Sequence, residues 1–305
     1  MLRSNASKKR NAPFTYTGTE VVPKDVVSVE FAPGVAEVPQ GAFEGCRALK
    51  YLLLNVGLQK IGKDAFNSCT YLEFVQLPST VIEIGRDAFH FCLALKYLVL
   101  NEGLKIIGEG AFRVCECLES IEIPSTVVEI GNDAFVNCQS LCNLVLNEGL
   151  KKIGHSAFQN CESLAHIEFP STVVEISEYA FYNCAGLHEV LLNDGLQIIG
   201  GSAFAHCESL ESVKLPSTVV EMGSSAFSDC AELRNVFLNE GLQKIKENTF
   251  GSCDSLESIQ LPSTIIEIGD NAFDCCGTLK NVCLNEGLER IGFRVFGDCE
   301  TLECI

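Results

Sequence analysis

Residues Cys115–Cys138 read CECLESIEIPSTVVEIGNDAFVNC. Ser120 and Glu122 alternate with Ile121 and Ile123, the period-2 pattern of a short strand with one buried face. Pro124 has no N–H to give a paired strand, so it ends this one. Val127 and Ile130 are expected to point inward on the return path. Gly131 suits a turn that needs unusual backbone angles. Ala134, Phe135 and Cys138 then fill the far side in a helical or 3₁₀ turn. About eight of 23 positions face inward, enough for a thin but continuous core.

Outward from this stretch the pattern repeats. A phenylalanine stands every 23 residues from Phe43 to Phe296, with a cysteine three residues later and a leucine three after that, in all twelve copies. A fixed period of this length marks a solenoid, in which each repeat buries its face against its neighbours. Parallel strands stacked about 4.8 Å apart make a sheet roughly 55 Å wide. The larger unit is 46 residues, because two turn chemistries alternate. One carries Pro-Ser-Thr (Pro78, Pro124, Pro170, Pro216, Pro262); the other carries Asn-x-Gly (Asn55, Asn101, Asn147, Asn193, Asn239, Asn285). Charge alternates as well. Lys50, Glu73, Lys96 and Glu119 stand at one column, and the series breaks at Cys142 and Ala165. Opposite signs on adjacent rungs favour one register.

The chain has 305 residues and a net charge of −18. Arg3, Lys8, Lys9 and Arg10 add four positive charges at the start, so the remainder carries −22. Such a body repels phosphate backbones, which argues against nucleic acid as a partner. No apolar run approaches the roughly 18 residues of a membrane span. The start has no apolar signal core. Of seventeen cysteines, twelve belong to the repeat and would stack as one column of equivalent thiols. None has a unique partner, so they read as reduced core, and a reducing intracellular compartment is favoured. No CxxC pair supports a structural zinc, and no cofactor is expected.

Leu118, Ile121, Ile123, Pro124, Val127, Ile130, Gly131, Ala134, Phe135 and Cys138 resemble the BspA-type (Treponema-type) leucine-rich repeat, over about residues 27–305. The resemblance implies an α/β-type solenoid, mostly β and turn: a curved right-handed coil with a parallel sheet on its concave side. It also implies a binding protein rather than an enzyme. Residues 1–13 read as a disordered basic tail, 14–43 as an N-terminal cap with an irregular first repeat, and 44–305 as the solenoid without a C-terminal cap. End-to-end association through the uncapped last rung is one consequence to expect. Thr126 or Gly103 stands where the general pattern has asparagine, so no asparagine ladder is expected. Ser177 and Lys246 replace the Gly131 glycine in two repeats and read as tolerated variation.

Residues eight and ten positions after each phenylalanine should face out from the concave sheet. The first rungs place Tyr51, Leu53, Phe74, Tyr97 and Val99 there, an aromatic patch suited to a protein partner. Glu122, Asn143, His166 and Glu168 continue it as a polar face. Cys142, His166, Glu168, His188 and Glu189 fall on adjacent central rungs; a solvated polar face explains them better than a metal or thiol chemistry. The leading expectation is a non-enzymatic protein-binding scaffold. The alternative is an exported cell-surface adhesin or glycan-binding module.

Overall fold

The computed structural model describes residues 12–304. All but the last two residues of the expected basic tail lie outside this range. Short parallel strands and turns make the whole fold, and no helix occurs among the described residues. The solenoid of mostly β and turn is as expected, without the helical part that the α/β-type label allowed. Each rung has one exposed-face strand, such as Tyr97–Val99, and one two-residue return strand, such as Ile106–Ile107.

The core is a set of columns. Every repeat phenylalanine from Phe43 to Phe273 is fully buried. Successive rings stack nearly parallel, 4.9 Å apart at Phe43–Phe66 and 5.2 Å at Phe135–Phe158. The thiol column lies beside them. From Cys69 onward each Sγ donates to the phenylalanine carbonyl of the preceding rung, as Cys138 does to Phe112 at 3.4 Å and Cys161 to Phe135 at 3.5 Å. These contacts leave the cysteines unpaired with one another.

The far side is neither helical nor 3₁₀. Alternate residues there donate forward to the next rung: Asp64 to Arg86 at 3.0 Å, Phe66 to Ala88 at 2.7 Å, and Ser68 to His90 at 2.7 Å. The residues between them close tight turns within their own rung, Ala65 onto Gly62 and Asn67 onto Asp64. This alternation needs positive φ two residues before and two after the phenylalanine, at Asp64 (53°) and Ser68 (61°). Asp, Asn, Ser and Gly hold most of those sites, as short polar side chains and glycine tolerate that region best. Gly131 is not among them. It is glycine because rungs approach closely there: a Cβ would lie 2.6 Å from the Ile107 carbonyl oxygen.

The expectation of no asparagine ladder is also corrected. Asn101 Nδ2 donates to the Val81 carbonyl at 3.0 Å, and Asn55, Asn193, Asn239 and Asn285 make the equivalent bond. The intervening rungs use threonine. Thr80, Thr172 and Thr264 each donate to a carbonyl of the preceding rung at 2.7 Å. A two-residue alternation thus replaces the single-residue ladder. Asn239 is the most fully engaged, because its Oδ1 also accepts the N–H groups of Gly241 and Leu242 at 2.9 Å. Asn239→Ala should cost about 2–3 kcal/mol, as it strands buried backbone groups. Asn147 leaves this column and reaches Glu122 on the surface at 3.1 Å. Asn147→Ala should cost under about 0.5 kcal/mol. Urea midpoints of the two variants check the contrast, and equal costs would contradict it.

The 46-residue block is visible in the sheet. Each proline-rung strand pairs fully with the asparagine-rung strand after it: Phe74–Gln76 with Tyr97–Val99, Ser120–Ile123 with Asn143–Leu146, His166–Glu168 with Glu189–Leu191. The next junction is loose. Tyr97–Val99 and Ser120–Ile123 share one paired position. The strands Tyr51–Leu53 and Phe74–Gln76 fall in different sheets, as do Asn143–Leu146 and His166–Glu168. At each loose junction the incoming strand runs into a proline, as Phe74–Gln76 does before Pro78 and Ser120–Ile123 before Pro124.

Lys246 does more than vary the repeat. Return strands from Glu37–Val38 to Glu221–Met222 form one nine-stranded sheet, which ends there; Lys244–Ile245 starts another. The Cβ of Lys246 occupies the close-approach position, and buried Thr249 replaces the smaller alanine next to Phe250. Ser177 carries a Cβ at the same position within the continuous sheet, so the break falls where Lys246 and Thr249 coincide, and the Phe227–Phe250 spacing there is 5.8 Å. Native-state amide exchange should find the weakest core protection around Lys244–Lys246. Uniform protection along the array would contradict this.

Candidate functional site

Alternation places every candidate on the exposed strand face. Tyr51, Leu53, Phe74, Tyr97 and Val99 are all large, apolar and exposed, from 44% at Phe74 to 62% at Leu53. Side chains between them, such as Val75, turn into the core. Phe74 stands directly opposite Tyr97, and Gln76 opposite Val99. The Lys50 ammonium lies 5.9 Å from the Tyr51 ring centre and that of Lys96 5.4 Å from Tyr97. Each lysine is held by the next rung's acid, Glu73 at 2.7 Å and Glu119 at 2.8 Å. The charge series continues less regularly: Arg234 turns to Glu232 within its own rung.

Three clefts lie along the strand face, two of them at loose junctions. The first lies over the paired strands Ser28–Phe31 and Tyr51–Leu53, where Tyr51, Leu53 and Phe74 line about 220 Å³ with Pro13 and Glu30. At the second, Val99, Glu122 and Asn143 line about 270 Å³. At the third, Asn143, His166 and Glu168 line about 610 Å³ with Asn147 and Asn193. Eight of the nine candidates therefore border one of three clefts in line; Tyr97 stands between the first two.

The central Cys142, His166 and Glu168 set does not converge. Cys142 Sγ donates to the Glu119 carbonyl at 3.4 Å, and His166 Nδ1 lies 3.0 Å from Glu189 Oε2. Among the described residues, the one grouping close enough to hold a metal is Asp274, Cys275 and Asp298. Arg294 already bridges its two carboxylates at 3.1 and 2.6 Å. Sequence reasoning missed several surface features. Val145 and Leu191 are exposed on the same face. Tyr71 and Phe91 line a groove of about 510 Å³ on the flank. A groove of about 770 Å³ lies on the return-strand side between Lys152, Tyr179 and Lys246. A second charge column also escaped notice: Lys60–Glu83, Lys152–Glu175 and Lys244–Glu267, each at 2.8–2.9 Å. Its alternating signs seventeen residues after the repeat phenylalanines were there to be read.

A family model described as a BspA type leucine rich repeat region matches residues 24–117, 105–234 and 174–303. The chain belongs to the BspA-type leucine-rich-repeat family. Among solved structures, this BspA-type chain is similar to a leucine-rich repeat protein from Bacteroides ovatus, at 27% identity and a TM-score of 0.68, over 97% of this chain and 90% of that one. It is similar to a leucine-rich cell surface protein from Faecalibacterium prausnitzii, at 26% identity and a TM-score of 0.54, over 96% and 89% of the two chains. It also resembles the leucine-rich repeat protein of T. pallidum, at 36% identity and a TM-score of 0.50, over 52% of this BspA-type chain and 77% of that one. No curated protein shows significant similarity. Among the described residues no helix is long and apolar enough to cross a membrane.

Proposed function

We propose that this repeat protein is a non-enzymatic scaffold that binds a protein partner on its exposed strand face, anchored on the first rungs. The observation that carries this reading is the run of Tyr51, Leu53, Phe74, Tyr97 and Val99, exposed together on one face over three rungs. Scattered single apolar residues are normal on a surface, whereas a contiguous patch marks an interaction site. Tyrosine and phenylalanine supply large contact areas with few rotors to freeze. The combined variant Tyr51→Ser/Phe74→Ser/Tyr97→Ser should lose partner binding by at least about 100-fold, since aromatic anchors contribute about 2 kcal/mol or more each. Its thermal melt should stay within a few degrees of the parent. Unchanged affinity would remove the assignment.

A second reading, a surface adhesin, draws on the likeness to the Faecalibacterium prausnitzii cell surface protein. A reducing compartment remains our preferred proposal. Thiol titration of unfolded native material, without added reductant, separates the two. Seventeen reactive thiols support the reducing compartment; a deficit among the exposed Cys117, Cys142, Cys283 and Cys304 supports export.

A further inference from the structure

We propose that the occupant of the strand face is an extended, cationic polypeptide segment, with its apolar end on the aromatic rungs and its basic end over the central ones. This rests on the strand-face reading above and gives its partner a chemistry. Apolar and acidic positions are separated along the face, apart from Glu30 at the first cleft. The aromatic rungs are flanked by Lys50 and Lys96, whose ammonium groups stand near the Tyr51 and Tyr97 rings. Beyond them the outward strand positions carry Glu122, Glu168 and Glu189, and no lysine or arginine until Lys214. Glu122 and Glu168 border the second and third clefts, and Glu189 stands directly opposite His166. Glu122 meets only the neutral Asn147 amide and Glu189 only His166, so three carboxylates call for N–H donors with positive charge.

The spacing fixes the segment's length. Tyr51–Leu53 and Glu189–Leu191 are six rungs apart, or about 29 Å at the usual strand separation. An extended chain covers this in about nine residues at roughly 3.3 Å each. Such a chain crosses the three clefts in order, and each offers room for side chains. The aromatic rungs at one end and the glutamates at the centre set the direction, because the reversed segment would lay its apolar residues on Glu168 and Glu189.

The test uses the full chain and a fluorescent synthetic nonapeptide with apolar aromatic residues in its first three positions and arginine in its last three. The control peptide has glutamate in place of arginine. By anisotropy the arginine peptide should bind at least about tenfold tighter than the control, and weaken about tenfold as salt rises from about 50 to 500 mM. Glu122→Gln/Glu168→Gln/Glu189→Gln should remove most of that preference, with an unchanged melt. Equal binding of the two peptides, binding of neither, or an arginine peptide indifferent to the glutamine variant would each overturn the proposal. The serine variant separates the two levels. If the arginine peptide ignores the glutamine changes but is lost with Tyr51→Ser/Phe74→Ser/Tyr97→Ser, the cationic assignment falls and the strand-face reading stands. If the peptide binds the serine variant as it binds the parent, the strand-face reading falls as well.

Discussion

Raising the pH to about 10 should unfold this protein. Nine interior thiols, from Cys69 to Cys253, are fully buried in the column. Burial pushes each of them up, to about 12 at Cys92, Cys138 and Cys184, and well above the ordinary value at Cys115, Cys161, Cys207 and Cys253. The folded state thus keeps its thiol protons where the unfolded chain, with pKa values of about 8.5, has released them. Stability from this source is fully present below the unfolded value and is lost as pH rises toward the folded one. One unit above the unfolded value each thiol costs about 1.4 kcal/mol, and nine cost about 12 kcal/mol, which matches the whole stability of an ordinary domain. The transition, followed by circular dichroism, should be steep. Cys138→Ser/Cys161→Ser/Cys184→Ser removes three titrating groups and keeps a donor for each phenylalanine carbonyl, so its unfolding midpoint should move to higher pH. An unshifted midpoint, or a chain still folded at pH 11, would contradict this.

The second large effect belongs to the ring column. Phe158→Ala removes a fully buried ring that stacks on Phe135 at 5.2 Å and on Phe181 at 5.3 Å. Lost transfer energy and the residual cavity should cost about 3–5 kcal/mol. Each repeat contacts only its neighbours, so the loss weakens two interfaces at once and should uncouple the halves of the array. Urea unfolding should broaden or split. Phe296 is only partly buried and has one column neighbour, Phe273 at 5.7 Å. Phe296→Ala should therefore cost less than half as much. Equal costs, or a Phe158→Ala loss below about 1 kcal/mol, would show that the column does not hold the fold.

Periodic information was legible and inter-rung information was not. Phe135, Cys138 and Ile121 revealed their columns because each recurs with the period, and alternation around Ile121 placed Tyr51 and Phe74 outward. Gly131 was assigned the wrong cause. A glycine required by φ and one required by close approach look alike in a sequence, and the contact distance that separates them lies between residues about a repeat apart. The true positive-φ sites were readable from their composition, as at Asp64, Asp87 and Asp133 or Asn137, Asn160 and Asn183. Asn101 went unrecognised because the general motif pointed to the positions of Thr126 and Gly103. Thr126 takes part after all, donating to Leu104. At the site, alternation puts the candidates on one strand face, but their division among three clefts depends on how neighbouring rungs pair, which the period does not show. The Asn147–Glu122 contact spans 25 residues and needed coordinates.

Amide exchange with and without a bound ligand tests strand-face binding most directly. The ligand would be a peptide selected on the full chain from a random displayed library. The expected result is new protection in Tyr51–Leu53, Phe74–Gln76 and Tyr97–Val99, with the turns around Tyr71 and Phe91 unchanged. Protection confined to those turns or to the return strands, with the three face strands unaffected, would contradict the proposed function.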